Sequence, residues 1–419
     1  MNQGDESRPC PIKRLPVELL QMILGALPDV SSLCMAASSC SLFYHVFLQA
    51  ETPLTTRVLL GQVDVDVLPE AMMAGESALL RPHESGRESY QAILDFVARN
   101  LQRRPTPPKS WSLRKALHLS RLHFYVDAFA RKFVATTLAI HPLNRTTRPV
   151  TPREMRRVER ALYRFETYCN LFRQPPTKGP IRYQDSIPSR IYDERVPLFF
   201  AHFAPYENEQ LGCILDFLLR AISPGNSQAQ RMVIHSLRAY EWVLAFADVG
   251  EHDVDWGARK VDYTNCFDSP EMQSVVSRGL AKLYEITGAE TYAERYQALD
   301  VDTLPYYSCE LLCESLESLD EDWDGILLEE LTPETEKTHV KQSLFNDPDS
   351  GPLDAWRWAH SQESRERWVY QKDRRELRQW GYVMWDRARL ETADIFQGSW
   401  TDVLVIDPVL EAHAYMQNS

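Results

Sequence analysis

Cys309 and Cys313, with three residues between them, and His118 and His123, five positions apart, are the closest this chain comes to a ligand set. Two thiolates or two imidazoles on one helix face can hold half of a zinc site. A lone thiolate can carry an acyl group as a thioester if its pKa is lowered and it is accessible. The two cysteines would share a helix face, but no second pair at suitable spacing completes a tetrahedron. The two histidines lie too far around a helix to ligate together. Cys169 sits among Tyr168, Leu171 and Phe172, and Cys213 between Gly212 and Ile214, surroundings of apolar filler rather than of a nucleophile. There is no GxxxxGK[ST] or GxGxxG phosphate loop, no GxSxG elbow and no HExxH pair. The expectation is therefore no catalytic residue, no metal and no cofactor: a binding protein rather than an enzyme.

The elements that would position a binding surface are helical. Thr151, Pro152 and Glu154 form a capping box ahead of the apolar positions Val158, Leu162, Phe165 and Cys169, which predicts a helix over 151–173. Ser269-Pro270-Glu271 and Thr332-Pro333-Glu334 carry similar start signals. Further helices are predicted at 54–61, 68–80, 87–103, 112–140, 206–222, 227–248, 271–287, 289–298, 306–318, 355–370 and 374–392. The one strand-like run is Val403-Leu404-Val405-Ile406. No period of 20 to 50 residues marks a repeat array. The fold class expected is all-α, an N-terminal three-helix unit followed by a non-repeat helical body. With 419 residues there is room for two or three domains. Turn-rich stretches at 174–190 and 342–353 are candidate breaks within the body.

Charge narrows the partners. The net charge of −13 argues against general nucleic-acid binding, which needs a cationic surface. No run of eighteen apolar residues predicts a membrane span. The first residues lack the apolar core of a signal peptide, and the eight cysteines form no paired framework, so cytoplasm or nucleus is expected. Residues 99–164 hold sixteen Lys or Arg against three acids, and 296–336 hold thirteen acids and no Lys or Arg. The plainer reading is that these blocks face one another; the sharper one is that a block recruits a charged partner.

Residues 15–48 stand apart. Glu18 and Asp29 are their only acidic or basic charges beside His45. Pro16 reads as the first residue of a helix, with Glu18 in its first turn and Leu19, Ile23, Leu24 and Leu27 as an apolar stripe ended by Pro28. Ser31 and Ser32 read as caps of a second helix through Leu33. A third segment carries Leu42, Phe43, Tyr44, Val46 and Phe47. Forty residues this apolar cannot bury their own surface and need a neighbour. The order Leu-Pro, acidic residue, aliphatic stripe, Leu-Pro, Ser-Leu and aromatic pair resembles the F-box.

That resemblance implies a module at 10–50 that docks a Skp-family adaptor, and through it a cullin scaffold and a RING subunit, in an SCF-type ubiquitin ligase. It implies adaptor contact through Leu15, Pro16, Leu19, Ile23, Leu24, Leu27, Pro28, Leu33, Phe43 and Tyr44, the stripe being shared with the module's own packing. Ser38 to Leu42 is neutral where the family often carries basic residues. Residues 51–419 would then be the recognition body for a protein substrate. Three further stretches, Arg160–Phe172, Phe203–Leu211 and Trp380–Asp386, resemble fungal F-box proteins. The alternative is a non-degradative interaction or regulatory protein that binds the adaptor without a ligase role. Six of ten tryptophans fall in the last sixty-four residues, interleaved with arginines. They read first as an aromatic core with stacked arginines, and second as a substrate surface through Trp356, Trp358 and Trp368.

Overall fold

The computed structural model describes residues 11–80, 86–140, 142–145, 147–173, 198–222, 270–289, 294, 297–298, 312–317, 347–360 and 369–403. Among them every regular element is a helix, as the sequence predicts. In chain order these are α1 Val17–Gly25, α2 Val30–Ser39, α3 Ser41–Gln49, α4 Glu51–Gln62, α5 Leu68–Ser77, α6 Gly86–Asn100, α7 Leu113–Leu138, α8 Pro152–Phe172 and α9 Pro205–Ile222. They continue as α10 Pro270–Val276, α11 Leu280–Gly288, α12 Cys313–Glu317, α13 Gly351–His360, α14 Arg375–Gln379 and α15 Arg387–Thr392. The predicted helix at 227–248, the start signal at 332–334 and the break at 174–190 lie outside the described residues, as do most of 289–298 and 306–318. So do residues 404–406 of the strand-like run, whose Val403 closes a 3-10 turn.

The centre is α8. The Thr151 hydroxyl accepts from Glu154 N at 3.1 Å while the Glu154 carboxylate accepts from Thr151 N at 2.9 Å, the predicted capping box. Helices α5, α7 and α9 pack around α8, and α9 in turn gathers α10 to α14. A helix enclosed this way buries its polar side too. Arg157, Arg160 and Arg164 lie three and four positions apart on one face, and all three are buried. Each meets a carboxylate. Arg157 pairs with Asp347, donates to Met384 O at 3.1 Å and lies 2.8 Å from Asp386 Oδ1. Arg160 stands 3.9 Å from Glu70, and burial pulls its guanidinium down to about 10. Arg164 donates to Glu207 at 2.6 Å with its guanidinium over the Phe203 ring.

The expectation that the basic block faces the acidic run 296–336 is therefore not what these three arginines do: their carboxylates come from α5, α9 and the segment around 347 and 386. Burial pushes the Asp347 carboxyl up, and Arg157 more than offsets this, leaving it below the usual range. Residues 347–350, read in sequence as part of a break, are a loop fastened to the core, and 351–353 already open α13. Asp349 Oδ1 there accepts from Gly351 N and Arg387 N, both at 2.8 Å.

Two predicted helices are split. In 271–287 the chain turns at Gly279, φ 89°, where an added Cβ would meet the Glu166 carboxylate at 2.9 Å. Glu166 instead receives Leu280 N at 2.7 Å and so serves the start of α11. In 374–392, α14 ends in a left-handed Gly381 at φ 65°. Gly381 N bonds Arg378 O at 3.0 Å and Tyr382 N bonds Leu377 O at 3.4 Å, closing a Schellman turn. Trp380, Tyr382, Val383, Met384 and Trp385 are all fully buried, which no single helix stripe accommodates.

The tryptophan-rich end is core. Trp356 is buried, and Trp358 is half-buried, edge-on to Phe396 and donating to Gly398 O at 2.9 Å. Trp368 lies outside the described residues. The arginines stack inward: Arg374 over Trp400, Arg378 over Tyr370 and Arg389 over Trp385. A substrate surface through Trp356 is thereby corrected to a packing role, because its ring is already enclosed.

Arg378 is the deepest of these cations. It donates to Asp216 at 2.7 Å and to Gln371 O at 2.8 Å, and reaches Glu209 at 3.4 Å. Asp216 and Glu209 are both fully buried. Replacing Arg378→Met strands two carboxylates and is expected to cost about 3–5 kcal/mol in urea unfolding at neutral pH. Adding Asp216→Asn should return part of that loss. A neutral single substitution would show that the pair does not hold α9 to the C-terminal segment.

Candidate docking surface

The first four helices form a unit. α4 packs on α1, α2 and α3, so the packed module runs past residue 50 to Gln62. The face toward the body is built by α2 and α4, which rest on α7. α1 and α3 pack mainly on each other and on α2 and α4. Gln62 bridges the two layers, accepting from Val30 N and donating to Ser120 O, both at 3.4 Å.

Local chemistry fixes the ends of these helices. Pro16 is the N-cap of α1, one position before the helix proper, and not its first residue as the sequence suggests. Its carbonyl accepts from Leu19 N at 3.1 Å and Leu20 N at 3.2 Å. Helix α2 is capped by Asp29 and not by the serines: Oδ1 accepts from Ser32 N at 2.7 Å and Oδ2 from the Ser32 hydroxyl at 2.8 Å. A carboxylate at the N-cap reaches the third helical N–H and offsets the helix dipole, which a serine one turn later does not. With Asp29 committed there, Glu18 is the one exposed acidic side chain of the module.

The apolar stripe of α1 divides. Leu24 is 1% exposed and packs with Leu20 in the core, whereas Leu19 and Ile23 are each 43% exposed. The reason is angular: Leu19 and Ile23 lie about 40° apart around the helix, whereas Leu24 turns about 100° on from Ile23 to the side of Leu20. Leu33 is fully buried. Of the residues implied to be shared between docking and packing, Leu24 and Leu33 take the packing share. Leu15, Leu27 and Phe43 are half-buried against the core, and Pro16, Pro28 and Tyr44 are exposed.

Sequence reasoning missed the rest of the outward face. Met22 and Leu48 are exposed on α1 and α3 beside Leu19, Ile23 and Tyr44, Met22 at 60%, while Val17 and, on α2, Met35 at 67% are exposed elsewhere on the module. These seven stand among twelve exposed large apolar side chains of the described residues, so the exposure concentrates on this module. The signal was present for two of them: Met22 follows Leu19 by three positions and Leu48 follows Tyr44 by four. Unbranched methionines suit an adaptable contact surface.

Burial pushes the Cys169 and Cys213 thiols well above the usual thiol range, so they stay protonated. Cys313 is buried; Cys309 lies outside the described residues. Burial lowers His123, which stacks on Tyr163 and shares a 2.8 Å hydrogen bond with its hydroxyl. Among the described residues no His, Cys, Asp and Glu group is placed to hold a metal, and no helix is long and apolar enough to cross a membrane. The chain matches no protein-family model, no curated protein and no solved structure.

The division of α1 into two faces is measurable. Leu24→Ala is expected to cost about 2–5 kcal/mol in urea unfolding, and Leu19→Ser less than about 0.5 kcal/mol. Equal costs would contradict the assignment of faces.

Proposed function

We propose that this protein is a substrate-receptor subunit of an SCF-type ubiquitin ligase. Its α1–α3 module docks a Skp-family adaptor, and its helical body holds a protein substrate. The observation that carries the reading is the uncovered apolar face of α1 and α3. The body takes up α2 and α4 and leaves Leu19, Met22, Ile23, Tyr44 and Leu48 to solvent. Together with the residue order from Leu15 to Tyr44, this is the side of the module on which an adaptor would sit. Each such side chain gains about 1.5–3 kcal/mol on full burial. Several together outweigh the cost of association. Electrostatics contributes little, because Glu18 is the one exposed acidic side chain of the module.

In such an assembly the receptor makes and breaks no bond. It holds a client lysine close to a thioester carried by a separate conjugating enzyme, and the rate gain is one of effective concentration. The absence of an activated nucleophile among the described residues costs that mechanism nothing.

The test is co-purification of the full chain with a Skp-family adaptor. Leu19→Asp combined with Ile23→Asp should lower affinity at least tenfold without changing the melting temperature. Retained binding in the double variant, or no complex with the native chain, would count against the proposal. Adding the cullin, RING subunit and conjugating enzyme then separates a ligase receptor, which yields ubiquitylated clients, from an adaptor-bound regulator.

A further inference from the structure

A second exposed surface lies on the body, along α7. We propose that the solvent face of α7, with α11 beside it, binds an acidic peptide that carries an aromatic or large aliphatic side chain. The assignment does not rest on the adaptor reading, since none of its residues belongs to α1–α4.

Arg114, Arg121 and Tyr125 follow one another at steps of seven and four, which places them in one row along the helix. Arg114, Lys115 and Arg121 are exposed, and among the described residues their side chains have no hydrogen-bond, ion-pair or ring partner. The acid nearest them on the helix, Asp127, is already taken by Arg131 through two bonds of 2.8 and 2.9 Å. In a chain of net charge −13, three exposed cations with no acid paired to them among the described residues form a local positive field toward one end of a helix.

The row leads into an aromatic cup. Phe124, Tyr125 and Tyr284 contact one another with ring centroids 5.2 to 5.4 Å apart. Phe124 is 52% and Tyr284 39% exposed. Tyr284 also meets the buried Phe129 edge-on at 6.4 Å, so the cup is anchored in the core and does not hang free. Rings held in place at low entropy cost and wetted on one side are the kind of group that dominates contact surfaces.

Geometry sets the partner. The helix rise puts Arg114 about 10 Å from Arg121, and Tyr125 about 6 Å further on. An extended peptide advances about 3.3 Å per residue. The partner thus has carboxylates spread over about four residues, then an apolar side chain about two residues beyond. A single-stranded nucleic acid fits less well. Base stacking needs an open ring face, and these rings stand at 58° to 75° to one another, closing the faces into a cup. Three cations are also a short track for a phosphate backbone.

The probe is a dye-labelled peptide of consecutive glutamates followed, after one glycine, by phenylalanine, titrated against the full chain and read by fluorescence anisotropy. The expected result is saturable binding that weakens with added salt. Arg121→Glu and Phe124→Ser should each reduce affinity about tenfold, while Arg99→Glu on α6 leaves it unchanged. Melting temperatures of the variants, compared with the native chain, separate lost contact from lost fold. Four results would overturn the proposal: no saturable binding, equal binding of a peptide lacking phenylalanine, variants without effect, or preferential binding of oligothymidylate. No adaptor is present in the titration, so its failure leaves the ligase reading standing, and the reverse.

Discussion

A helix enclosed on all sides can carry arginines only if carboxylates are waiting for them, and that constraint organises this molecule. Helix α8 brings Arg157, Arg160 and Arg164 into the interior, where leaving any one unpaired would cost several kcal/mol. The answering groups come from far along the chain: Glu70 on α5, Glu207 on α9, and Asp347 and Asp386 from the C-terminal part. Arg389 repeats the theme in reverse, clasping Glu154 through two 2.8 Å bonds and so fixing the C-terminal segment to the first turn of α8. The ionic pairs tie sequence-distant elements together in one register, whereas an apolar core alone would tolerate sliding.

This internal order decides what is left outside. With α8 satisfied, α7 is fixed on it, and α7 in turn receives α2 and α4. Among the described residues, α1 and α3 pack chiefly on each other, α2 and α4, and Leu19, Met22, Ile23, Tyr44 and Leu48 stay exposed. An apolar face kept in water on a protein with ample core is a cost that a folded monomer would shed unless something else covers it. The aromatic cup between α7 and α11 is a smaller case of the same kind, with exposed cations beside it in place of further apolar side chains.

Much of the fold was legible in the sequence because local rules decided it. The capping box at Thr151, the helical periods of α1 to α9 and the lack of strand patterning are short-range signals. What escaped depended on distant neighbours. Arginines at 157, 160 and 164 look like a solvated face until their carboxylates, one of them more than two hundred residues away, are known. The run Trp380 to Asp386 looks helical because its breaker, Gly381, is an ordinary residue until Phe133 packs at 2.7 Å from where a Cβ would stand. The outward side of α1 was half legible. A list of apolar positions does not say which side of a nine-residue helix the body occupies, so the sequence could not separate exposed Leu19 and Ile23 from buried Leu24 and Leu33.

Backbone amide hydrogen exchange of the full chain, with and without a saturating purified Skp-family adaptor, tests the central claim most directly. The account predicts slowed exchange confined to α1 and α3 and their connecting turns, with α7 and α8 unchanged. Protection that leaves α1 and α3 untouched, or that appears only on the body, would contradict it.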